Sequence, residues 1–393
     1  MAQVVLAAQA ANGLQVKVAV TAQHRQMLDQ VLDIFAIRPD FDLDIMSPNQ
    51  DLFDITSRAL VGLKGVLQEE QPDLVLVHGD TTTTFVAALA AFYLKIPVGH
   101  VEAGLRTRDK HRPFPEEMNR HLAAVLTDYH FAPTDWARDN LLAEGVAPAQ
   151  IWVTGNTVID ALQIIAARVA AARAHWEDYF SREYRLSLTG KRLILVTGHR
   201  RENFGPGFEN ICWALRDVVE AFADVVVVYP VHLNPNVQRP VQEILGPVSR
   251  EADDGPGWRL ALLPPLEYAP FVYLLHQSYL VLTDSGGIQE EAPALGKPVL
   301  VMRDVTERPE GVWAKTVKLV GTDRRKIFRE MQDLLENPAS YRTMAQARNP
   351  YGDGQAARRI VEVIQAMPAL TPRKPAQPSR LPGPRALAKP IIG

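Results

Sequence analysis

The chain has 393 residues, 47% of them hydrophobic, with 42 basic and 45 acidic side chains and a formal net charge of −3. A chain of this length usually divides into more than one domain. Its nearly balanced charge gives no electrostatic basis for binding nucleic acid or an anionic membrane surface, so a bound anion would have to be held by a local site. The single cysteine, Cys212, excludes an internal disulfide and fits a reducing compartment.

The apolar start, Met1 to Ala11, has neither the basic n-region nor the cleavage site of a secretory leader. No run approaches the roughly 18 apolar residues that a membrane span needs. We therefore expect a cytoplasmic protein that does not contact a membrane.

The chain opens with a predicted helix, Ala2–Ala11, and short apolar β-branched runs then alternate with helical patterns. The predicted strands are Val16–Val20, Leu74–Val77, Val98–Val101, His130–Ala132, Ile151–Thr154, Leu193–Thr197, Val225–Tyr229, Leu260–Leu263, Leu280–Thr283, Val299–Met302 and Val317–Val320. Most are continuous apolar runs, which are typical of parallel strands covered by helices on both faces. The sequence predicts an α/β fold with two Rossmann-like, doubly wound parallel-sheet domains facing a cleft.

A charged helical stretch, Ala167–Arg192, separates the two sets of strands, and we place the domain junction near Tyr184–Thr189. The first domain is predicted to span residues 1–186 and the second, nucleotide-binding domain residues 187–366, with the last helix packing back on the first domain. The remaining residues, 367–393, are rich in proline and basic side chains and are predicted to be disordered. A doubly wound domain usually opens with a buried central strand, which this sequence lacks. We therefore expect the natural start to lie upstream of Met1.

The segment Leu280–Ala292 carries the most informative motif. A strand ends at Thr283–Asp284, and Ser285, Gly286 and Gly287 then form a tight turn into a helix. Glycines allow a phosphate to approach the backbone, and free amides at a helix start point toward an anion. Glu291 lies one helical turn further on, where its carboxylate could accept hydrogen bonds from ribose hydroxyls. An ordinary turn with Ser285 as N-cap is the alternative interpretation.

Carboxylates follow two consecutive predicted strands of the first domain. Asp80 follows Leu74–Val77 and precedes a run of threonines, and Glu102 follows Val98–Val101. Glu116 and Glu117 follow a loop with two prolines. Each acid has a structural alternative: Asp80 as an N-cap, Glu102 paired with Arg106, and Glu116 paired with Arg120. Because such pairs contribute only a few tenths of a kcal/mol, about 0.3–0.5, we favour a catalytic role for the acids.

The first predicted strand of the second domain ends in a cationic cluster of His199, Arg200 and Arg201. Such side chains donate charge-assisted hydrogen bonds to phosphate, although a solvated basic turn would have the same sequence. Acids from the first domain and anion donors from the second would suit a sugar nucleotide bound across the cleft. No cluster has metal-ligand spacing and no dinucleotide fingerprint is present, so we expect neither a metal nor a nicotinamide cofactor.

These residues resemble the bacterial non-hydrolysing UDP-N-acetylglucosamine 2-epimerases over about residues 1 to 366. The runs that carry the resemblance are His78–Thr82, Gly99–Arg106, Pro115–Glu117, Thr154–Asp160, Gly198–Glu202, Pro230–Pro235, Thr283–Glu291 and Arg303–Pro309. The resemblance implies a glycosyltransferase-B-like fold, a homodimer and an isomerase without cofactor. It also implies that UDP-N-acetylglucosamine and UDP-N-acetylmannosamine are interconverted, supplying N-acetylmannosamine units for cell-surface polysaccharide.

The resemblance further implies a role for individual residues. Catalytic roles would fall to Asp80, Glu102, Glu116 and His199. Nucleotide contacts would be made by Phe271, Ser285, Gly286, Gly287, Glu291 and Arg308. Four residues are similar to a regulatory second substrate site known in part of the family, namely Gln23, Gln26, Arg201 and His232.

The chemistry of the sugar explains why more than one carboxylate is needed. The C2 proton is not acidic, because no carbonyl is conjugated to it, so UDP must leave C1 first or nearly so. A carboxylate base then removes the C2 proton, and an acid on the opposite face returns one. This matches the family's route, elimination to 2-acetamidoglucal and readdition of UDP. Alternatives are another glycosyltransferase-B-like UDP-sugar enzyme, a hydrolysing epimerase, or a catalytically impaired sugar-nucleotide-binding protein.

Overall fold

The structure, a computed structural model, describes residues 1–23, 25–47, 50–246 and 259–367. Apart from Met367, the predicted disordered tail, 367–393, therefore lies outside the described residues. The strands are β1 Ala19–Val20, β2 Phe41–Asp42, β3 Val75–His78, β4 Val98–Val101, β5 Tyr129–Ala132, β6 Ile151–Val153, β7 Arg192–Thr197, β8 Val225–Pro230, β9 Leu260–Leu263, β10 Ser278–Thr283, β11 Val299–Val301 and β12 Val317–Leu319.

The helices of the first half of the chain are α1 Ala2–Ala10, α2 Arg25–Ile34, α3 Leu52–Glu70, α4 Thr82–Tyr93, α5 Glu116–Leu126, α6 Asp135–Ala143, α7 Thr157–Ala171 and α8 Arg173–Tyr184. Those of the second half are α9 Pro206–Ala221, α10 Pro235–Ile244, α11 Tyr268–Gln277, α12 Ile288–Ala294, α13 Pro309–Trp313, α14 Arg324–Glu336, α15 Pro338–Ala345 and α16 Ala356–Ala366. Among the described helices, none is long and apolar enough to cross a membrane.

Two parallel sheets organise the molecule. The first domain holds a four-stranded sheet in the order β3-β4-β5-β6, and the second a six-stranded sheet in the order β12-β11-β10-β7-β8-β9. Every described strand pair is parallel. The predicted α/β fold with two parallel-sheet domains is confirmed.

The predicted strand Val16–Val20 is wrong in extent. Only Ala19–Val20 is a strand, and it pairs with β2 in a separate two-stranded sheet. The backbone just before it is bonded differently: the amide of Val18 donates to Asp40 Oδ2 at 2.8 Å, and the amide of Asp40 donates to the carbonyl of Val18. A side chain thus takes the place of a strand ladder here.

The continuous apolar runs are explained by cores on both faces of the second sheet. In β7, Ile194 and Val196 pack into one core, while Leu193 and Leu195 pack into the core on the other face. All four are buried, and each such side chain contributes about 1.5–3 kcal/mol. Alternation with polar residues would leave one of these cores unfilled.

Helices that precede and follow the second sheet in the chain connect the two domains. Leu162 of α7 and Phe180 of α8 pack in a core with Leu193 of the second sheet. At the other end of the chain, Ile360 of α16 packs with Phe131 of the first sheet. The junction near Tyr184–Thr189 therefore marks where the strand sets change, while the helices before it already contact the second domain.

Candidate active site

Two carboxylates stand at neighbouring strand ends of the first domain. In the β3–β4 pair, His78 is the register partner of Val101. Glu102 follows Val101 directly, and Asp80 follows His78 after Gly79. Glu102 has a φ of 65°, in the left-handed region. A non-glycine residue held in that region costs about 1–3 kcal/mol, and such residues cluster at functional sites.

The Glu102 carboxylate is held in its ionised form. Burial acts to raise its pKa, but the contact with His78, at 3.1 Å between Nε2 and Oε2, outweighs it together with the charge of Arg308. The resulting pKa is about 2. Glu102 can therefore accept a proton at neutral pH but does not carry one.

Asp80 is oriented by helix α5. Its Oδ2 accepts hydrogen bonds from Nε and Nη2 of Arg120, at 3.0 and 2.6 Å. The carbonyl of Asp80 accepts a further bond of 2.9 Å from Nδ2 of Asn119. The Asp80 side chain keeps 29% of its surface exposed, so the carboxylate is not closed off by these contacts.

The two glutamates at the start of α5 differ in role. Glu117 is buried and accepts hydrogen bonds from the amides of Thr107 and Arg108, which fixes the preceding loop. Glu116 is half-buried and is the first residue of the helix, and it remains the candidate catalytic acid of the two. The sequence did not separate these roles, because the burial of Glu117 depends on a loop ten residues away.

All three structural alternatives considered for Asp80, Glu102 and Glu116 are wrong. The N-cap of α4 is Thr81 and not Asp80. Arg106 pairs with Glu144 through two hydrogen bonds, at 2.7 and 2.8 Å, and not with Glu102. Arg120 pairs with Asp80 and Glu117, and not with Glu116. Glu102 and Glu116 therefore do not form the ion pairs that helical spacing suggested.

In the second domain, Asp284 organises the cationic turn. Its carboxylate is fully buried and accepts hydrogen bonds from the amides of His199 and Arg200 and from Nδ2 of Asn203. The distances are 2.9 to 3.1 Å. Burial lowers the pKa of His199, against the opposing charge of Asp284, whose Oδ1 lies 3.4 Å from His199 Nδ1. Asp284 thus holds His199 at the carboxyl end of β7.

The glycine loop, Ser285–Gly287, lies against Arg308, whose side chain is 12% exposed. A Cβ on Gly286 would stand 2.6 Å from Nη1 of Arg308, so a side chain there would displace the guanidinium. Within the described residues, the amides of Gly286 and Gly287 donate no hydrogen bond. The loop therefore presents two free backbone donors next to a guanidinium.

Glu291 lies one turn beyond the glycine loop and is buried. Among the described residues, its Oε2 has no hydrogen-bond partner. Burial, with the neighbouring charge of Glu290, raises the pKa of Glu291 to about 8, while a hydrogen bond with Tyr268 opposes the shift. A buried, unpartnered carboxyl oxygen calls for a ligand that can form a hydrogen bond with it. Phe271, three residues after Tyr268 in α11, is half-buried nearby in the chain.

Arg308 joins the two halves of the site. It donates to Glu290 through Nε and to Glu307 Oε1 through Nη1, the latter at 2.9 Å. Glu290 Oε2 also accepts a 2.6 Å hydrogen bond from Asn156 of the first domain. The charge of Arg308 lowers the pKa of Glu102 and also lies against Gly286. Arg308 therefore lies against the glycine loop and also acts electrostatically on Glu102.

The residues similar to a regulatory site are distributed over both domains. The His232 ring stacks on that of His199, with centroids 5.5 Å apart, and Arg201 is exposed two residues after His199. In the first domain, Gln23 Oε1 accepts a hydrogen bond from Thr83, near Asp80. The Gln26 side chain lies outside the described residues. Whether the four act together stays a prediction.

His78 and Arg120 contribute to the site and were missed as functional residues. His78 stands in the motif that carries Asp80, so its position at a strand end was a usable signal. The pairing of Arg120 with Asp80 joins residues from different elements and had no local signal.

Comparison with known proteins follows the same outline. The model of the family described as UDP-N-acetylglucosamine 2-epimerase matches residues 6–365. The UDP-N-acetylglucosamine 2-epimerase of Escherichia coli (strain K12) is 56% identical over 351 residues, which cover 89% of this chain and 91% of that protein.

Solved structures give the same result. The UDP-GlcNAc 2-epimerase of Neisseria meningitidis, bound to UDP-GlcNAc, superposes with a TM-score of 0.82 at 48% identity, covering 93% of this chain and 95% of that one. The enzyme of Methanocaldococcus jannaschii, in complex with UDP-GlcNAc and UDP, has a TM-score of 0.72 at 31% identity, covering 93% and 95%. The chain therefore belongs to the UDP-N-acetylglucosamine 2-epimerase family.

Proposed function

We propose that this protein interconverts UDP-N-acetylglucosamine and UDP-N-acetylmannosamine by inverting C2 of the sugar. The observation that carries the proposal is the position of Arg308, which contacts the glycine loop and acts electrostatically on Glu102. One bound ligand can thus present an anion to the second domain and a sugar carbon to the first. The family comparisons support this activity over the transferase and the binding-only alternatives.

The second domain would hold the nucleotide. The free amides of Gly286 and Gly287, with Arg308 beside them, suit a diphosphate, and His199 adds a donor at the next strand end. The unpartnered oxygen of Glu291 suits a ribose hydroxyl. Ser285 would close the loop over the phosphate, and Phe271 would lie near the uracil.

The first domain would perform the proton chemistry. As UDP leaves, positive charge develops at C1 and acidifies the C2 proton. Glu102 is the carboxylate that is held ionised, so we assign it the removal of that proton from UDP-N-acetylglucosamine. Asp80 and Glu116 would supply the proton to the opposite face. Readdition of UDP to the 2-acetamidoglucal then gives the manno epimer.

Three substitutions test the assignment of the acids. Asp80→Asn, Glu102→Gln and Glu116→Gln should each lower turnover by roughly 10²–10⁴-fold, because each removes a proton donor or acceptor. Asp135→Asn is the matched control, since Asp135 is an exposed first-domain carboxylate at the start of α6. Conversion is followed by NMR with deuterated water as solvent, and the product should carry deuterium at C2. Product without deuterium, or free UDP released stoichiometrically with product, would contradict the proposed route.

We further propose that two copies of the chain associate through α4 and α5. Both helices expose apolar side chains: Phe92 and Tyr93 at the end of α4, and Met118, Leu122 and Val125 along α5. The α5 residues recur at helical spacing and form one stripe, with Val125 85% exposed. Val125→Glu should shift the sedimentation coefficient from dimer to monomer, while Val153→Glu, at another exposed apolar position, should not. A wild-type monomer at micromolar concentration would contradict the association.

The regulatory role of Gln23, Gln26, Arg201 and His232 is a separate proposal, supported by the stacking of His232 on His199. If these residues bind a second substrate molecule, the dependence of rate on UDP-N-acetylglucosamine should be sigmoidal. His232→Ala should make it hyperbolic.

A cytoplasmic location is proposed as well, and the single buried Cys212 supports it.

A further inference from the structure

His78 contacts the proposed base and reaches toward solvent. It ends β3, and its Nε2 lies 3.1 Å from Oε2 of Glu102. The His78 side chain is 34% exposed, against 19% for Glu102. The imidazole is therefore the more accessible member of the pair.

A base that removes the C2 proton must lose it before it can act again. Inversion requires a proton delivered from the opposite face, so the proton on Glu102 is not consumed by formation of the manno product. With nucleotide and sugar in the cleft, the open approach to Glu102 is reduced further. A titratable group in contact with its carboxylate would provide an exit.

We propose that His78 carries the proton from Glu102 to solvent. The inference rests on the proposed function, in which Glu102 is the base. The C2–H bond breaks and the proton goes to Glu102, while the C–H electron pair forms the C1–C2 double bond and the C1–O pair leaves with UDP. The protonated Glu102 then gives its proton to the lone pair of His78 Nε2. The imidazolium returns a proton to water and is neutral again.

Among the other charged and titratable groups around the pair, Glu290 is buried and already hydrogen bonded to Arg308 and Asn156, and Arg308 and His100 are also unsuited to this role. Arg308 faces Glu102, but its pKa is raised by Glu290 and Glu307 despite burial, so it does not release a proton. His100, on the neighbouring strand, has its Nε2 2.7 Å from the Gly79 carbonyl oxygen, and burial lowers its pKa to about 4.

An imidazole is suited to the transfer. One ring nitrogen carries a lone pair and the other an N–H, so the ring can accept a proton at Nε2 and release one from Nδ1. A histidine that served only to orient Glu102 would need a donor to the carboxylate but no titration. His78→Gln keeps an amide donor and removes the titration, so it separates the two roles.

The test follows the C2 hydrogen of unreacted substrate. In deuterated water, wild type should return UDP-N-acetylglucosamine with deuterium at C2, because the proton leaves Glu102 through His78 before return. His78→Gln should return substrate that keeps protium, and its kcat should fall by about 10- to 100-fold. His78→Ala should be partly restored by added imidazole. His175→Gln, at an exposed position on α8, is the control and should behave as wild type.

The outcomes distinguish this inference from the proposed function. Wild-type conversion with no deuterium at C2 of either sugar would overturn both. Wild-type exchange, with equal exchange per turnover in His78→Gln and no imidazole effect on His78→Ala, would overturn the role of His78 alone. UDP affinity within about twofold of wild type establishes that each variant is folded.

Discussion

The buried carboxylate of Asp284 offers a quantitative test of how the site is built. In Asp284→Asn, the amide oxygen can replace Oδ2 and still accept from the amides of His199 and Arg200 and from Asn203. Those three bonds lose their charge assistance, at about 1 kcal/mol each. The amide nitrogen would face the His199 amide at the 3.1 Å position of Oδ1, donor against donor. We expect a loss of about 3 kcal/mol in the free energy of unfolding.

The assay is urea unfolding followed by far-UV circular dichroism, alongside UDP binding by calorimetry. Asp224→Asn is the matched control, because Asp224 pairs with Arg192 at a surface where it is 52% exposed. Such a pair contributes at most about 1 kcal/mol. UDP affinity should fall in Asp284→Asn, because the His199 turn loses its anchor, and stay unchanged in Asp224→Asn. Equal stability of the two variants would refute the anchoring role of Asp284.

Three further predictions concern the second domain and the buried groups. Gly286→Ala should displace Arg308, weaken UDP binding by at least about tenfold and lower the urea midpoint. Gly287→Ala is the control and should leave the midpoint unchanged, because its Cβ would lie 3.8 Å from the nearest atom. Because the pKa of Glu291 is raised to about 8, its stabilising contribution is full below about pH 4.5 and is lost as pH rises through 8; Glu291→Gln should therefore flatten the fall in stability between pH 6 and 9. The pKa of His100 is lowered to about 4, so its contribution is full above about pH 6.5 and is lost as pH falls through 4. We expect the free energy of unfolding to fall by about 2 kcal/mol between pH 7 and pH 5. Unfolding curves should show a smaller fall in His100→Gln, and an equal fall in the two proteins would contradict this prediction.

The sequence predicted most strands because their signal is local. A fully buried parallel strand is a short apolar run, and Val98–Val101 and Leu260–Leu263 were predicted with the observed bounds. The failure at Val16–Val20 has the opposite cause. The run is apolar enough for a strand, but its hydrogen-bond partner is the side chain of Asp40, which no periodicity shows.

The sequence predicted the candidate site residues that directly follow a strand. Asp80 and Glu102 were expected to lie together because parallel strands end at one edge, and the register of β3 and β4 places them so. The partners of these acids were not predictable. The alternative pairing of Arg120 with Glu116 rested on their spacing of four residues, yet Arg120 reaches Asp80 from another element. Local spacing limits which side chains can meet, but the tertiary packing decides which do.

The central claim is that acids of one domain and anion donors of the other act on a single sugar nucleotide. The most direct measurement is a crystal structure of the Glu102→Gln variant with UDP-N-acetylglucosamine bound. The account predicts the diphosphate on the amides of Gly286 and Gly287, with the sugar C2 next to the side chain at 102. A diphosphate bound away from the glycine loop, or a sugar out of reach of residues 80, 102 and 116, would contradict it.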